Sequence, residues 1–360
     1  MIKFVIGTRA ELIKMIPVIL EAKDLEYEVI FTGQHNVDYL LEKFQIKDKI
    51  NYKYLTKPRK GFELNTKEAI KFGLKYSFLL KKHLDKNDIV IVHGDTISTL
   101  IGAFAGYMKR IKVAHIESGL RSWDPFEPFP EEIIRNTVDY FSTILFVVSK
   151  LTYRNIKRQF PWKKHVYNTG NTINDSALLA YKLGKDIEIY EEDYGLVSVH
   201  RHENLKSKYR MAKIVKIILE TAKRIKLIIP MYENTKKALV NYGLYDYLIK
   251  NRNIKIVEPM DYITFIKYLA NSRILLTDGG SIQEESLIFK IPSILLRMKT
   301  ERIEGLLTGL NYLSKLDIKE TIKKIDEYLE GKYNKDFINP YGKPGSSKKI
   351  MRILKNYRAI

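Results

Sequence analysis

Short runs of apolar residues alternate along the whole chain with longer segments in which apolar residues recur at helical spacing. In the first half this pattern predicts strands at 2–7, 27–33, 88–94, 112–118 and 144–149, and helices at 10–22, 66–85 and 97–108. In the second half it predicts strands at 195–200, 226–231, 254–259, 273–279 and 292–297, and helices at 207–224, 262–271, 282–289, 317–330 and 346–357. Strands that alternate with helices in this way are typical of a parallel sheet covered by helices. The pattern therefore predicts an α/β fold.

A cluster of turn residues interrupts the alternation at VYNTGNTINDSALLA, residues 166–180. Turn residues followed by a helix cap are typical of a connection between domains, and 360 residues suit two domains of ordinary size. We therefore predict a first domain at 1–170, a second domain at 171–345 and a final helix at 346–360.

Composition and charge limit the class of protein. A protein with a net charge of +20 could bind a polyanion such as a nucleic acid. The lysines are spread along the chain among Glu and Asp, however, which is typical of a solvated surface, so no nucleic-acid partner is expected. The absence of Cys excludes disulfides, thiolate metal sites and cysteine nucleophiles. No apolar run has the length of a membrane span, and the opening residues resemble a buried strand, so we expect a cytoplasmic protein without membrane insertion.

Polar and charged residues collect where the predicted strands end. Ligands of open α/β sheets bind outside the carboxyl ends of the strands. Those positions hold Arg9, His35, His93, Asp95, His115, Glu117, His200, Glu233, Asp278, Gly280, Ser281 and Arg297. Several histidines beside carboxylates and arginines indicate a site rather than structural histidines.

The segment TDGGSIQEES, residues 277–286, ends one predicted strand and begins a helix. Its small residues let backbone N–H groups approach a ligand, and a helix N-terminus attracts negative charge, as in a phosphate cradle. Glu284 and Glu285 lie in the first turn, where one could cap the helix and the other could accept hydrogen bonds from a ribose diol. An ordinary strand-to-helix turn with an N-terminal cap would also explain the segment.

Eight segments together resemble one family. They are GTRAELIK (7–14), VHGDT (92–96), AHIESGLRS (114–122), PFPEEIIRN (128–136), TGNTIND (169–175), HRHEN (200–204), TDGGSIQEE (277–285) and LRMKTERIEG (296–305). In order and spacing they resemble the UDP-N-acetylglucosamine 2-epimerase family over nearly the whole chain. The resemblance implies two Rossmann-like domains facing a central cleft, as in GT-B glycosyltransferases, with the C-terminal helix crossing back to the first domain. It also implies a nucleotide held mainly by the second domain, and a homodimer.

The resemblance also implies roles for particular residues. The implied catalytic residues are Asp95, Glu117, Glu131 and His200. The implied substrate-binding residues are Arg9, Lys14, Arg135, Gly280, Ser281, Glu285, Thr300 and Arg302. The implied substrate is a UDP-N-acetylhexosamine, which loses UDP to give a glycal and regains it with the opposite configuration at C2. No metal and no other cofactor are expected.

The chain departs from the family pattern at Ala10, His202, Tyr232, Met298 and the run Gly279–Ser281. These departures leave other functions open: a hydrolysing 2-epimerase that releases N-acetylmannosamine and UDP, a GT-B glycosyltransferase, or an inactive nucleotide-sugar sensor. Structural roles are open as well. Asp95 could cap the helix at 97–108, and Glu131 could complement a helix dipole.

Overall fold

The computed structural model describes residues 1–58, 66–124 and 130–358, and it divides the chain into two compact units. Unit 1 comprises Met1–Ser176 and Tyr341–Ile360, and unit 2 comprises Ala177–Pro340. The first two residues of the segment PFPEEIIRN, 128 and 129, lie outside the described residues. Among the residues that are described, no helix has both the length and the apolar character required to cross a membrane.

Unit 1 is built around a parallel sheet. Its strands are β1 (Ile2–Ile6), β2 (Tyr27–Phe31), β3 (Tyr52–Tyr54), β4 (Ile89–His93), β5 (Lys112–Ser118), β6 (Ile144–Val147) and β7 (His165–Asn168). Its helices are α1 (Arg9–Leu20), α2 (Asp38–Lys43), α3 (Thr66–Lys81), α4 (Ile97–Lys109), α5 (Glu131–Phe141) and α6 (Lys150–Gln159), with a 3₁₀ turn at Lys47–Lys49. The strand order within the described residues is β3-β2-β1-β4-β5-β6-β7. Helix α7 (Ile173–Leu183) contains the boundary between the units.

Unit 2 repeats this plan. Its strands are β8 (Tyr194–Ser198), β9 (Lys226–Pro230), β10 (Ile254–Val257), β11 (Ile274–Thr277), β12 (Ser293–Leu295) and β13 (Asn311–Leu313). Its helices are α8 (His202–Leu205), α9 (Lys208–Ala222), α10 (Glu233–Asn241), α11 (Tyr245–Ile249), α12 (Tyr262–Ala270), α13 (Ile282–Ile288), α14 (Ile303–Leu306) and α15 (Ile318–Leu329). The strand order is β10-β9-β8-β11-β12-β13, again parallel throughout.

The central strands are mainly apolar because both faces of each sheet are covered. Every residue of β1 and β4 is buried in unit 1, and every residue of β8 and β11 is buried in unit 2. Parallel sheets of this kind lose the alternation of apolar and polar residues that marks a half-exposed strand. The α/β fold predicted from the sequence is confirmed.

The last helix, α16 (Ser346–Arg358), packs on α1 and belongs to unit 1, as the resemblance implied. Asp175 fixes its start, because the two carboxylate oxygens accept hydrogen bonds from the backbone N–H groups of Gly345 (2.5 Å) and Ser347 (2.7 Å). Ile350, Met351 and Leu354 are buried. The chain therefore ends in the unit in which it began.

Candidate active site

The candidate residues of unit 1 lie at the carboxyl ends of three neighbouring strands. β1 pairs with β2 on one side and with β4 on the other, and β4 pairs with β5. The chain therefore changes its direction of winding between β1 and β4. Such a switch point leaves a crevice outside the strand ends where ligands of open α/β sheets bind.

Glu117, near the end of β5, has an unusual backbone. Its φ is +67°, in the left-handed region that side chains other than glycine seldom adopt. The register between β5 and β6 shifts from Ile116 to Ser118, which marks a bulge at Glu117. Bulges beside functional sites redirect a side chain, and strain of this kind persists only where the surrounding structure maintains it. The Glu117 carboxylate is buried, and Lys14 Nζ donates a hydrogen bond to it at 2.5 Å.

A buried polar network fixes the end of β5 behind this bulge. His115 Nδ1 lies 2.7 Å from Asp139 Oδ1, and Arg121 Nη2 donates to Asp139 Oδ2 at 2.6 Å. His115 Nε2 lies 2.8 Å from the Gly94 carbonyl oxygen on the neighbouring strand end. Burial alone would raise the pKa of Asp139, but the charges of Arg121 and His115 outweigh it and hold this pKa below its usual value. The network therefore joins the segment that carries Glu117 to the turn that carries Asp95.

Position 119, two residues after Glu117, requires a glycine because of its backbone conformation and its close packing. Gly119 has a φ of +81°, and a Cβ atom there would lie 2.4 Å from the backbone oxygen of Thr152. Any larger residue would collide with the start of α6. The IESGLR segment therefore owes its glycine to close packing immediately after Glu117.

His93, the last residue of β4, is buried beside Glu117, with Nε2 3.6 Å from Glu117 Oε2. Burial lowers the pKa of His93 to about 3, and the Lys14 ammonium favours the neutral ring further, against the opposing effect of Glu117. The imidazole is therefore neutral at physiological pH.

Asp95 accepts hydrogen bonds from Arg135, with Nε at 2.8 Å and Nη2 at 2.5 Å from Oδ2. Arg135 also meets Glu132 at 3.2 Å. The interpretation of Asp95 as the cap of α4 is wrong, because Thr96 is the N-cap and its hydroxyl accepts from the Thr99 N–H. Asp95 is therefore held by a cation at the site and is only half-buried.

Glu131 and Arg9 begin helices beside this group. Glu131 is the first residue of α5 and half-buried, so the alternative role of complementing the helix dipole is compatible with its position. Arg9 begins α1 and is exposed, and its Nε donates to the Asn36 carbonyl oxygen at 3.3 Å.

The switch point of unit 2 lies between β8 and β11, since β8 pairs with β9 on one side and β11 on the other. Here the buried carboxylate of Asp278 organises the strand ends. It accepts hydrogen bonds from the backbone N–H groups of His200 (2.9 Å) and Arg201 (3.0 Å) and from Asn204 Nδ2 (2.9 Å). His200 itself is exposed, with Nδ1 3.8 Å from Asp278.

The segment TDGGSIQEES forms the turn before α13. Gly280 and Ser281 are half-buried, and Ser281 is the N-cap residue but makes no side-chain capping hydrogen bond. Glu284 pairs with Arg302 Nε at 2.9 Å, and Glu285 Oε1 accepts from the Tyr262 hydroxyl at 2.9 Å. Both glutamates are thus bound by side chains from other segments of the unit.

Arg302 and Thr300 reach the same turn from the segment after β12. Arg302 also pairs with Glu301, and Glu301 pairs with Arg297 at 3.0 Å. Burial would raise the pKa of Glu301, but the two arginines hold it far below its usual value. Thr300 Oγ1 donates to Gln283 Oε1 at 3.0 Å.

Tyr232, one of the departures from the family pattern, lies against His200 with ring centroids 5.8 Å apart in an edge-to-face arrangement. Burial raises the pKa of the Tyr232 phenol, and the charge of Glu285 raises it further. Tyr232 therefore remains a neutral hydroxyl beside the histidine.

Within each unit the structure brings candidate residues to one edge of a sheet. In unit 1 it joins Lys14 to Glu117 and Arg135 to Asp95, and in unit 2 it collects Gly280, Ser281, Glu285, Thr300 and Arg302 around the start of α13. The sequence analysis gave no role to four of the residues that hold these groups: Glu11, Asp139, Tyr262 and Glu301. Glu11 carried a signal, because Thr8 and Glu11 have the spacing of a capping box. The residues described here contain no group of three or more His, Asp or Glu side chains suited to a metal ion.

Two Rossmann-like units, each with charged side chains at the switch point of a parallel sheet, define a protein of the GT-B-like α/β class. The chain belongs to the UDP-N-acetylglucosamine 2-epimerase family, whose model matches residues 18–355. A UDP-N-acetylglucosamine 2-epimerase of Methanocaldococcus jannaschii is 34% identical over 372 residues, covering 98% of both chains.

Solved structures agree with this assignment. The M. jannaschii UDP-GlcNAc 2-epimerase in complex with UDP-GlcNAc and UDP superposes with a TM-score of 0.82 at 31% identity, covering 99% of both chains. The UDP-GlcNAc 2-epimerase of Neisseria meningitidis bound to UDP-GlcNAc gives a TM-score of 0.83 at 28% identity, also covering 99% of both chains.

Proposed function

We propose that this chain interconverts UDP-N-acetylglucosamine and UDP-N-acetylmannosamine. One observation of the structure carries the proposal: the Glu117 carboxylate is buried on a strained bulge at a sheet switch point and is held by Lys14. Family members of known structure were solved with UDP-GlcNAc bound. A carboxylate placed in this way suits a proton transfer at a sugar carbon.

The chemistry explains why several carboxylates are needed. The C2–H bond of the hexose is not acidic, because no carbonyl at C1 stabilises a carbanion. If the C1–O bond to UDP breaks while a carboxylate takes the C2 proton, UDP leaves with the bonding electron pair and a 2-acetamidoglycal remains. A UDP oxygen then attacks C1, and C2 receives a proton on its opposite face. Both proton transfers require positioned acids and bases, for which we propose Asp95, Glu117 and Glu131.

The departing diphosphate requires positive charge and hydrogen-bond donors. We propose that Arg9, Lys14 and Arg135 supply positive charge, and that His200 supplies a hydrogen-bond donor. The turn with Gly280 and Ser281 supports this proposal, since it is half-buried and its serine hydroxyl makes no capping bond.

Three further residues of unit 2 are proposed to hold the nucleotide. Glu285 would accept hydrogen bonds from the ribose, oriented by the Tyr262 hydroxyl that already bonds it. Thr300 and Arg302 would maintain the shape of the turn through Gln283 and Glu284.

We also propose a cytoplasmic homodimer. Helices α3, α4 and α5 pack side by side, and each exposes a large apolar side chain to solvent: Phe78, Tyr107 and Tyr140. A second copy of the chain would cover these side chains. Light scattering on the purified protein should give the mass of two chains, and Phe78→Asp should shift it towards one; a monomeric wild type would contradict the proposal.

Proton NMR of the purified protein with UDP-N-acetylglucosamine in deuterium oxide tests the activity. We expect UDP-N-acetylmannosamine deuterated at C2, because C2 is protonated from solvent in the return step. Free N-acetylmannosamine with UDP would indicate the hydrolysing reaction instead. No change in substrate would contradict both.

Glu117→Gln tests the residue on which the proposal depends. The amide keeps the size of the side chain but cannot accept a proton, so turnover should fall by about 10²- to 10⁴-fold. The dissociation constant of UDP, measured by calorimetry, should stay within about threefold of wild type, because UDP lacks the sugar. The matched control is Glu188→Gln, which changes an exposed glutamate and should leave turnover unaltered. Unchanged turnover in Glu117→Gln would remove Glu117 from the mechanism.

A further inference from the structure

Glu11 is a fully enclosed carboxylate at the switch point of unit 1, with 3% of its surface exposed. Its Oε2 accepts hydrogen bonds from the backbone N–H groups of Gly7 (2.9 Å) and Thr8 (2.7 Å) and from the Thr8 hydroxyl (3.0 Å). Its Oε1 accepts from the Thr96 hydroxyl (2.6 Å) and lies 2.8 Å from the Thr99 hydroxyl. One oxygen thus fixes the start of α1, and the other fixes the start of α4.

The residues next to these contacts are candidate site residues. Thr8 precedes Arg9, and Thr96 follows Asp95. Lys14, one turn further along α1, makes the ion pair with Glu117. Because β1 and β4 are neighbours in the sheet, the two helix starts that Glu11 joins lie side by side.

The charge of Glu11 is stabilised by the helices themselves. No lysine or arginine contact with it is found in the part of the chain that the structure describes. The N-termini of α1 and α4 supply positive partial charge instead. Burial raises the pKa of Glu11, against the donors from Thr96, Thr8, Gly7 and Thr99. A capping box at the start of α1 needs only the contacts between Glu11 and Thr8, and not those with Thr96 and Thr99.

We propose that Glu11 is a positioning residue that locks the cations of α1 to the turn carrying Asp95. The inference rests on the proposed function, and it extends that function to a residue that touches no substrate. A displacement of about 1 Å between groups that act on one substrate can lower the rate about 100-fold. Loss of the Oε1 contacts should therefore affect the chemical step more than nucleotide binding.

Two variants separate this role from stability. Glu11→Gln keeps the size of the side chain but presents one amide NH₂ to a group of donors. Thr99→Val removes one hydroxyl beside Oε1 and leaves the capping box of α1 in place. The matched control is Thr152→Val. Like Thr99, Thr152 is buried and is the third helical residue of a capping box, here at the start of α6. Its hydroxyl bonds Ser149 and not Glu11.

We expect kcat to fall by about 10- to 100-fold in Glu11→Gln and Thr99→Val, with KM for UDP-N-acetylglucosamine within about threefold of wild type. The double variant should lose no more than the worse single variant, since both changes break the same link. Thr152→Val should keep the wild-type kcat. A purely structural role predicts equal kcat per folded molecule in all three, and that result would overturn the proposal.

Hydrogen–deuterium exchange supplies a readout that does not need activity. Glu11→Gln should speed exchange in residues 94–99 as well as in residues 7–11, whereas Thr152→Val should alter neither segment. Faster exchange confined to residues 7–11 would overturn the link between the helices. If wild type fails to exchange C2 hydrogen in the NMR assay, the proposed function fails, and the exchange measurement still decides the role of Glu11.

Discussion

At the scale of single residues, the charged groups of the site are held by neighbours of opposite charge. Lys14 is held against Glu117, and Arg135 is held against Asp95. His93, 3.6 Å from Glu117, is kept neutral by burial and by Lys14. In the sequence, His93 and Asp95 lie two positions apart at one strand end, and the family resemblance gave a catalytic role to Asp95 alone. The packing around each residue decides that His93 is buried and neutral, whereas Asp95 is half-buried and paired with Arg135.

His93 makes stability depend on pH. Its pKa is about 3 in the folded chain and about 6.5 in the unfolded chain. Between these values the unfolded chain binds a proton that the folded chain does not, so stability falls as the pH is lowered through this window. From pH 7 to pH 5 the contribution is about 2 kcal/mol.

His93→Gln removes the titrating ring and keeps a polar side chain near Glu117. The loss of unfolding free energy between pH 7 and pH 5, measured by urea denaturation, should therefore be smaller than in wild type by about 2 kcal/mol. His83→Gln is the control, because His83 lies in the same unit and its side chain is exposed. Equal losses in wild type and His93→Gln would show that His93 does not cause the dependence.

At the scale of elements, β5 departs from the regular strand that its sequence predicts. The run KVAHIES predicts a regular strand at 112–118, and a strand forms there, but its register breaks between Ile116 and Ser118. Such a bulge is not visible in the sequence because it is imposed by groups far along the chain. Asp139 on α5 and Asn155 on α6 bind the residues around Gly119.

Asp139→Asn tests whether α5 maintains this strand end. The change leaves Arg121 and His115 buried without their carboxylate, and the loss of one partner of a buried ion pair costs about 3–5 kcal/mol. Urea denaturation should show that loss. Asp24→Asn, an exposed change in the same unit, should alter stability by less than about 0.5 kcal/mol. A loss below about 1 kcal/mol in Asp139→Asn would indicate that the network does not hold the bulge.

The edge strands show where periodicity fails as a signal. Every strand predicted from the sequence is found, and the described strands that were missed are β3, β7 and β13. All three are short, contain polar residues and lie at the edge of a sheet. An edge strand is paired on one side only, so it needs no continuous apolar run, and its sequence resembles a loop.

At the scale of the whole molecule, unit 1 is formed by two separate segments of the chain, its beginning and its end. Helix α16 follows unit 2 in sequence and packs in unit 1 against α1, which carries Arg9, Glu11 and Lys14. The end of the chain therefore supports the helix that the proposed site depends on.

Leu354→Ala tests this support. Leu354 is fully buried, and truncation of a buried leucine costs about 2–5 kcal/mol. Hydrogen exchange should become faster in α1 and α16 and remain unchanged in the strands of unit 2. Lys355→Ala, at an exposed position of the same helix, should leave exchange in α1 at its wild-type rate. Faster exchange throughout unit 2 would contradict the assignment of α16 to unit 1.

The sequence by itself determined the α/β class, the central strands and the strand ends where charged residues collect, because burial on both faces and helical spacing leave direct patterns. Its motifs also identified the family. Only the tertiary structure decided that Glu117 occupies a left-handed bulge, that Thr96 rather than Asp95 caps α4, and that Glu11 joins two helix starts. The bulge depends on contacts with other elements, such as that of Asp139 with Gly119, and the Glu11 link joins residues 85 positions apart. No local pattern in the sequence records contacts of this kind.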